Sequence, residues 1–311
     1  MILVVGGTGQ LGGKVVELLR DNHPVRVMTR DPQRIPPPRP GVQVVRGDLR
    51  DGGSLSQALD GVDAVVCTAQ GGESGGDNGP RYVEGTGVPR LVDAAARTGV
   101  RQFVYVSSAS ARPDSPSDFF RFKASAERHL RGSGLPYSIL RPTHLMETWA
   151  AGLGEPIVKQ SRAIILGRGD NPVSFVAAAD VARAAATVAG QEGTGYTADL
   201  GGPEALTLVQ VNDLLAEAFG VTVTRRLRLP VPALRLGSRL LRPLREVTSR
   251  QLLFGVLLDT QPQVVDSTAA WRHLGVTPTT MRAWLERHAP ELAGRWGAPL
   301  VAPFADRPAG G

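Results

Sequence analysis

The chain has 311 residues, 42% of them hydrophobic and 21% charged, with 35 basic and 29 acidic side chains and a net charge of +6. This length supports a sizeable core in one or two domains, and the hydrophobic content excludes a disordered chain. No apolar run approaches the ~18 residues of a membrane-spanning helix, and a lone cysteine, Cys67, excludes both an internal disulfide and a cysteine zinc site.

The opening Met-Ile-Leu-Val-Val-Gly-Gly has no basic leader and no cleavage site. It reads as the first strand of a cytoplasmic protein, not as a signal peptide. Ile2 to Val5 is an apolar run ending at Gly6, and Leu11, Val15, Leu18 and Leu19 follow at helical spacing. Further apolar runs at Val25 to Met28, Val42 to Val45, Ala64 to Cys67, Phe103 to Val106 and Tyr137 to Leu140 alternate with helical patterns. That alternation predicts an α/β fold, a doubly wound parallel sheet covered by helices on both faces. Gln70 to Gly79 reads as a mobile Gly-rich loop after the fourth strand, and Pro89 either begins or kinks the next helix. Val173 to Val176, followed by an alanine-rich helix from Ala179 to Ala189, is expected to return the chain to the sheet. Beyond residue 200 the alternation decays into helical patterns at Leu208 to Phe219, Pro232 to Leu241, Ser249 to Leu257, Ser267 to Leu274 and Thr280 to His288. The expected organisation is a larger domain over 1–200, with lobe residues inserted around 143–170, and a smaller, mainly helical C-terminal lobe over 201–311. The Pro- and Gly-rich tail, 297–311, is expected to be disordered.

Gly6-Gly7-Thr8-Gly9-Gln10-Leu11-Gly12 joins the first strand to the first helix with G-x-x-G-x-x-G spacing. Gly6 permits a tight turn, Gly9 lets a pyrophosphate approach the backbone, and Gly12 allows close helix–strand packing. Amides at the helix start, around Thr8, Gln10 and Leu11, then face the anion, helped by the helix dipole. A glycine-rich turn alone is ordinary; a strand before it and an amphipathic helix after it point to a dinucleotide site. The second strand ends in Met28-Thr29-Arg30-Asp31-Pro32-Gln33-Arg34. An acidic residue there would bind ribose hydroxyls, whereas an arginine accepts a 2′-phosphate in a bidentate, charge-assisted pair. Arg30 holds the diagnostic place and Arg34 adds a second charge, which favours NADP(H); Asp31 leaves NAD(H) open.

These motifs resemble those of the NmrA-like proteins, a group of atypical short-chain dehydrogenases. The resemblance covers most of residues 1–220. It rests on GGTGQLG, VRVMTRDPQR, Gly47-Asp48-Leu49, VDAAARTGVRQFVYVSSAS, KASAERHLRGSGLPYSILRPT, SFVAAADVARAA and GYTADLGGPEALTLVQVNDLLAEAFG. It implies a Rossmann fold in which Asp48 bonds the adenine amino group, Leu49 packs beside it, and Thr68 and Ala69 line the cleft. It further implies a catalytic-serine position at Ser107 or Ser108, Lys123 on the nicotinamide ribose, and Pro142 near the nicotinamide ring. A helix cap is the plainer reading of the two serines.

One departure from the family pattern bears on chemistry. Where catalytic relatives carry tyrosine in Y-x-x-x-K, this chain has Phe119, four residues before Lys123. A phenyl ring has no hydroxyl and cannot act as general acid or base. The expectation is therefore a reductase that passes hydride to a quinone-like or other conjugated acceptor. The alternative is a non-catalytic protein that reads NADPH against NADP⁺ for a regulatory or assembly partner. His144, after the Arg141-Pro142-Thr143 turn, and Tyr82 are the candidate substitute proton donors, with a packing role as the plainer reading. His23, His129, His273 and His288 show no metal-ligand spacing, so no metal site is expected.

Between 225 and 250 there are eight arginines, Arg225, Arg226, Arg228, Arg235, Arg239, Arg242, Arg245 and Arg250, against Glu246 as the only acid. Peripheral membrane contact, an acidic partner, a wall attracting an anionic substrate, and the solvated face of a core-packed helix all fit this pattern. Nucleic-acid binding is not expected, because no interleaved aromatics or reader motif accompany the charge.

Overall fold

Strands apolar at every position need cover on both faces, and the chain supplies it. The structure is a computed structural model that describes residues 1–34 and 40–297; the tail expected to be disordered lies, beyond Gly297, outside the described residues. In chain order the first elements are β1(Ile2–Val5), α1(Gln10–Leu19), β2(Val25–Thr29), a 3-10 turn (Pro32–Arg34), β3(Val42–Arg46), α2(Gly52–Leu59) and β4(Ala64–Cys67). A second 3-10 turn (Gly76–Asn78), α3(Pro80–Tyr82), a π-helical turn (Val83–Gly87), α4(Val88–Arg97), β5(Gln102–Val106), α5(Asp118–Gly132) and β6(Tyr137–Pro142) follow. Then come α6(Met146–Gln160), β7(Arg162–Leu166), α7(Ala178–Ala189), β8(Tyr196–Leu200), α8(Leu208–Ala218) and β9(Arg225–Leu229). The last helices are α9(Val231–Leu241), α10(Glu246–Thr260), α11(Thr268–Leu274) and α12(Met281–Trp296).

The chain folds as two units, the first made of 1–142, 178–200 and 267–277, the second of 143–177, 201–266 and the residues from 278 onward. The first unit is built on a seven-stranded sheet, ordered β3-β2-β1-β4-β5-β6-β8, in which every pairing is parallel. Alternate residues, among them Leu3, Val5, Val65, Cys67, Phe103 and Tyr105, meet Leu55 of α2, Leu91 of α4 and Leu130 of α5 in one buried cluster. The helices α1 and α7 pack on each other, and α7 lies across β4, β5 and β6. The chain leaves β1 toward β2 and β3, then crosses back to β4 and continues to β5 and β6. This reversal opens a crevice at the carboxyl ends of β1 and β4, where such sheets bind ligands.

The seventh strand is β8, not the segment from Val173 to Val176 that the apolar pattern favoured. That segment belongs to the second unit, where Val173 bridges Leu206 and Gln263, and Val176 bridges Leu145. β8 was hard to see because an edge strand is covered on fewer sides and tolerates Thr197 and Asp199 among its apolar residues. Pro89 lies in the first turn of α4, directly after the π-helical turn, within a helical run that is unbroken from Pro80 to Arg97.

The second unit surrounds a core of Met146, Leu153, Ile157, Leu215, Trp284 and Leu285, drawn from α6, α8 and α12. It also holds a two-stranded parallel sheet, β7 with β9, and a paired α9 and α10. Arg225 to Leu229, the start of the basic stretch, is thus a strand in register with Arg162 to Leu166. No helix among the described residues is long and apolar enough to cross a membrane.

Candidate functional site

The chain leaves β1 through Gly6 at φ +86°, a region that side chains disfavour. A Cβ there would stand 2.7 Å from the Ala69 nitrogen and 2.8 Å from the Thr68 hydroxyl. A Cβ on Gly12 would run into the Gly6 carbonyl and stand 2.6 Å from Thr68 Oγ1. Bare glycines therefore draw the start of α1 against the ends of β1 and β4. Thr68 locks that corner, donating from its amide (2.9 Å) and its hydroxyl (3.1 Å) to the Val5 carbonyl. Gly9 caps α1 without a side chain, and the first turn holds no acidic residue. The amides of Gln10, Leu11 and Gly12 are first-turn donors that no carbonyl of the helix can reach. Thr8, Gly9 and Gln10 are exposed and Leu11 is half-buried, so the donors stand at the mouth of the crevice. An anion suits this place by hydrogen bonding and by dipole alike.

Beside the crevice, Arg30 is exposed and donates to Asn78 Oδ1 from the second 3-10 turn. Arg34 ends the first 3-10 turn, and its side chain lies outside the described residues. Asp48 is clasped by Arg50: the backbone N–H reaches Oδ1 at 2.9 Å, Nε at 3.0 Å, and the second guanidinium nitrogen reaches Oδ2 at 2.6 Å. This clasp holds the Asp48 carboxyl below its usual range, so it stays an ionised acceptor facing partners with N–H groups. Leu49 packs on Gly87 of the π-helical turn, where a Cβ would come within 2.7 Å of the leucine Cβ.

At the ends of β5 and β6, Ser107 is 4% exposed, and its hydroxyl makes no hydrogen bond among the described residues. Ser108 differs, since its hydroxyl accepts from the Ser110 amide at 3.2 Å in a local turn. Neither serine caps a helix, since α5 begins only at Asp118: Ser108 holds a turn, and Ser107 is left with an open polar group. Pro142 is buried, and its carbonyl accepts from the Ala109 amide at 2.9 Å.

Lys123 is 3% exposed, and its Nζ donates to the Val106 carbonyl at 3.2 Å. It faces Glu84 at 3.9 Å and lies over the rings of Tyr105 (5.3 Å) and Phe119 (5.1 Å). Glu84, fully buried, accepts from the Gly71 amide through both oxygens, at 3.0 and 3.2 Å. Burial pushes the lysine below its ordinary range, with Glu84 pulling the other way. Burial also pushes the neighbouring Cys67 thiol up to about 12 and the Tyr105 phenol well up, so both are neutral at pH 7. The loop from Gln70 to Gly79, expected to be mobile, is thus tied at Gly71 by Glu84 and at Asn78 by Arg30.

His144 belongs to the second unit. Its Nε2 lies 2.9 Å from Gln263 Oε1, and the amide nitrogen of Gln263 donates to the Leu257 carbonyl at 3.1 Å. With the amide so oriented, Nε2 carries the proton and donates. Burial lowers the pKa from 6.5, so the ring is neutral at pH 7. It stands edge-on to Trp149 at 5.6 Å and 6.2 Å from Phe175, forming an aromatic cluster. Tyr82 is 39% exposed at the end of α3. Sequence reasoning missed Arg50, Asn78, Glu84, Trp149 and Gln263. Only Arg50 carried a local signal, two residues after Asp48.

A parallel sheet that reverses its strand order at β1 and β4, with a bare-glycine turn opening on that crevice, defines a dinucleotide-binding α/β protein. Residues 6–192 match the family model described as NAD(P)H-binding, and the chain belongs to that family as an NmrA-like atypical short-chain dehydrogenase that binds NAD(P)H. It is 34% identical over 227 residues (71% of this chain, 74% of the relative) to a (4-alkanoyl-5-oxo-2,5-dihydrofuran-3-yl)methyl phosphate reductase of Streptomyces griseus subsp. griseus. It is 31% identical over 225 residues (71% of this chain, 74% of the relative) to an NAD(P)H azoreductase of Xenophilus azovorans. Its fold matches that of an NADPH-dependent quinone oxidoreductase of Escherichia coli complexed with NADPH, with a TM-score of 0.75 at 24% identity over 95% of this chain and 100% of that one.

Proposed function

We propose that this protein is an NADPH-dependent reductase that passes hydride to a quinone-like, conjugated acceptor. The observation that carries the reading is Phe119, whose ring stacks under the Lys123 ammonium where the family pattern places a tyrosine. Without that hydroxyl a forming alkoxide loses its usual proton donor, a loss worth ~10²- to 10⁴-fold for ordinary carbonyl reduction. A quinone needs no such donor, because its reduced anion is stable enough to take its proton from water. The reductase activities of the similar proteins support the same class.

The chain's own residues divide the work. The amides of Gln10, Leu11 and Gly12 hold the pyrophosphate, with Thr8 and Gly9 at the mouth. Asp48, kept ionised by Arg50, accepts from the adenine amino group, with Leu49 packed beside it. Arg30 releases Asn78 for a 2′-phosphate, and Arg34 adds charge. Thr68 and Ala69 form the wall opposite Gly6. The open hydroxyl of Ser107 and the end of β6 at Pro142 meet the nicotinamide half. Lys123 acts as a positioning residue, fixing the end of β5 through Val106 and the loop at Gly71 through Glu84. When bound, the reduced nicotinamide supplies the hydride.

Steady-state oxidation of NADPH and NADH with a panel of benzoquinones and naphthoquinones tests this. The wild-type enzyme should turn over with NADPH in preference to NADH. Arg30→Ala should raise the KM for NADPH ~10- to 100-fold, the worth of one or two charge-assisted hydrogen bonds, and leave NADH unchanged. NADPH bound tightly but oxidised by no member of the panel would overturn the reductase reading in favour of a coenzyme-sensing protein. An Arg30→Ala enzyme with unchanged preference would remove the phosphate assignment.

A further inference from the structure

We propose that α9 and the turn after it form a docking face for an anionic lipid surface. This rests on none of the coenzyme chemistry above. On the side of α9 away from its buried residues, Leu236 at 59% and Leu240 at 65% exposure stand one helical turn apart, and Leu244, in the turn after the helix, is 84% exposed. The core side of the helix is anchored, with Leu234 and Ser238 buried and the Ser249 hydroxyl of α10 donating to the Ser238 carbonyl at 2.6 Å. Leu236 and Leu240 are therefore held outward by the packing of their own helix.

Charge says what would cover them. Arg235 and Arg239 flank the leucines, Arg242 and Arg245 continue the basic edge, and residues 230–245 contain no acid. All four arginines are exposed, and none joins an ion pair among the described residues, whereas Arg226 pairs with Asp213 and Arg282 with Glu217. Leucines bordered by unpaired guanidinium groups match an interface of acyl chains and phosphate headgroups. A second copy fits less well. A two-fold pairing would bring like-charged flanks together, and three leucines offer far less than the ~800 Å² per partner of a stable interface.

Co-sedimentation of the full-length protein with vesicles tests this, comparing phosphatidylcholine alone with an equal mixture of phosphatidylcholine and phosphatidylglycerol. Binding should be found with the mixture and should fall by ~100-fold when Arg235, Arg239 and Arg242 are all changed to Gln. Changing Leu236, Leu240 and Leu244 to Ser should weaken it ~10-fold or more, with no fall in melting temperature, because these side chains are outside the core. Absence of binding to the mixed vesicles overturns the proposal, as does equal binding by wild type and the leucine variant. Self-association in light scattering, lost in the leucine variant while vesicles stay unbound, would assign the face to a second copy instead.

Discussion

Lys123→Met should destabilise the protein by about 3–5 kcal/mol, and adding Glu84→Gln should restore most of that loss. Removing the ammonium leaves a fully buried Glu84 carboxylate near Tyr105 and Cys67 without the neighbouring positive charge. Replacing the carboxylate as well removes the buried negative charge, while glutamine still accepts from the Gly71 amide. Denaturant melts of the two single variants and the double form a cycle in which coupling shows as non-additivity. Purely additive losses would mean that the two groups act separately and that Lys123 does not hold the loop through Glu84. The pH dependence has a definite sign. Burial lowers the folded-state pKa of Lys123 below 10.5, so the unfolded chain keeps a proton that the folded one releases. The stability attributable to this residue therefore rises with pH through the window that ends at 10.5, and the double variant should lack that rise.

Gly12→Val should weaken coenzyme binding by ~100-fold or more and lower stability by ~1–3 kcal/mol, the usual range for overpacking. Its side chain would meet the Gly6 carbonyl and the Thr68 hydroxyl, the two groups that fix the turn under the helix start. Pushing α1 outward would then spoil the aim of its first amides. The control lies one residue on. A Cβ at Gly13 meets nothing closer than the Gly7 carbonyl at 3.6 Å, so Gly13→Ala should keep full coenzyme affinity and melt no lower than wild type. If both substitutions lowered affinity equally, the close approach at Gly12 would not be what sets coenzyme binding.

Much of the first unit could be read from the sequence because its signals are local. β1, β4 and β5 are buried on both faces, so almost every residue in them is apolar. The glycine turn announces itself within seven residues. Where structure depends on distant partners, the signal faded. β9 reads as a basic run because four of its five residues, Arg225 to Arg228, are exposed, and only its pairing with β7 makes it a strand. α6 is interrupted by Gly152, Gly154 and Pro156, and its place is set by packing in the second core. The same holds at the site. Arg30 stood in a recognisable position, but Asn78, 48 residues away, carries no mark of being its partner. His144 was singled out, yet Gln263, which fixes its tautomer, lies 119 residues along the chain. Glu84 sits in an unremarkable Tyr-Val-Glu-Gly run, and only the fold brings it to Lys123 and Gly71.

Calorimetric titration of the wild-type protein with NADPH and then with NADH bears most directly on the claim that the first turn of α1 holds a dinucleotide diphosphate. Saturable heat with both coenzymes is expected, and NADPH should bind at least ~10-fold more tightly through Arg30. Titration without heat for either coenzyme, in protein shown to be folded, would contradict the account at its base.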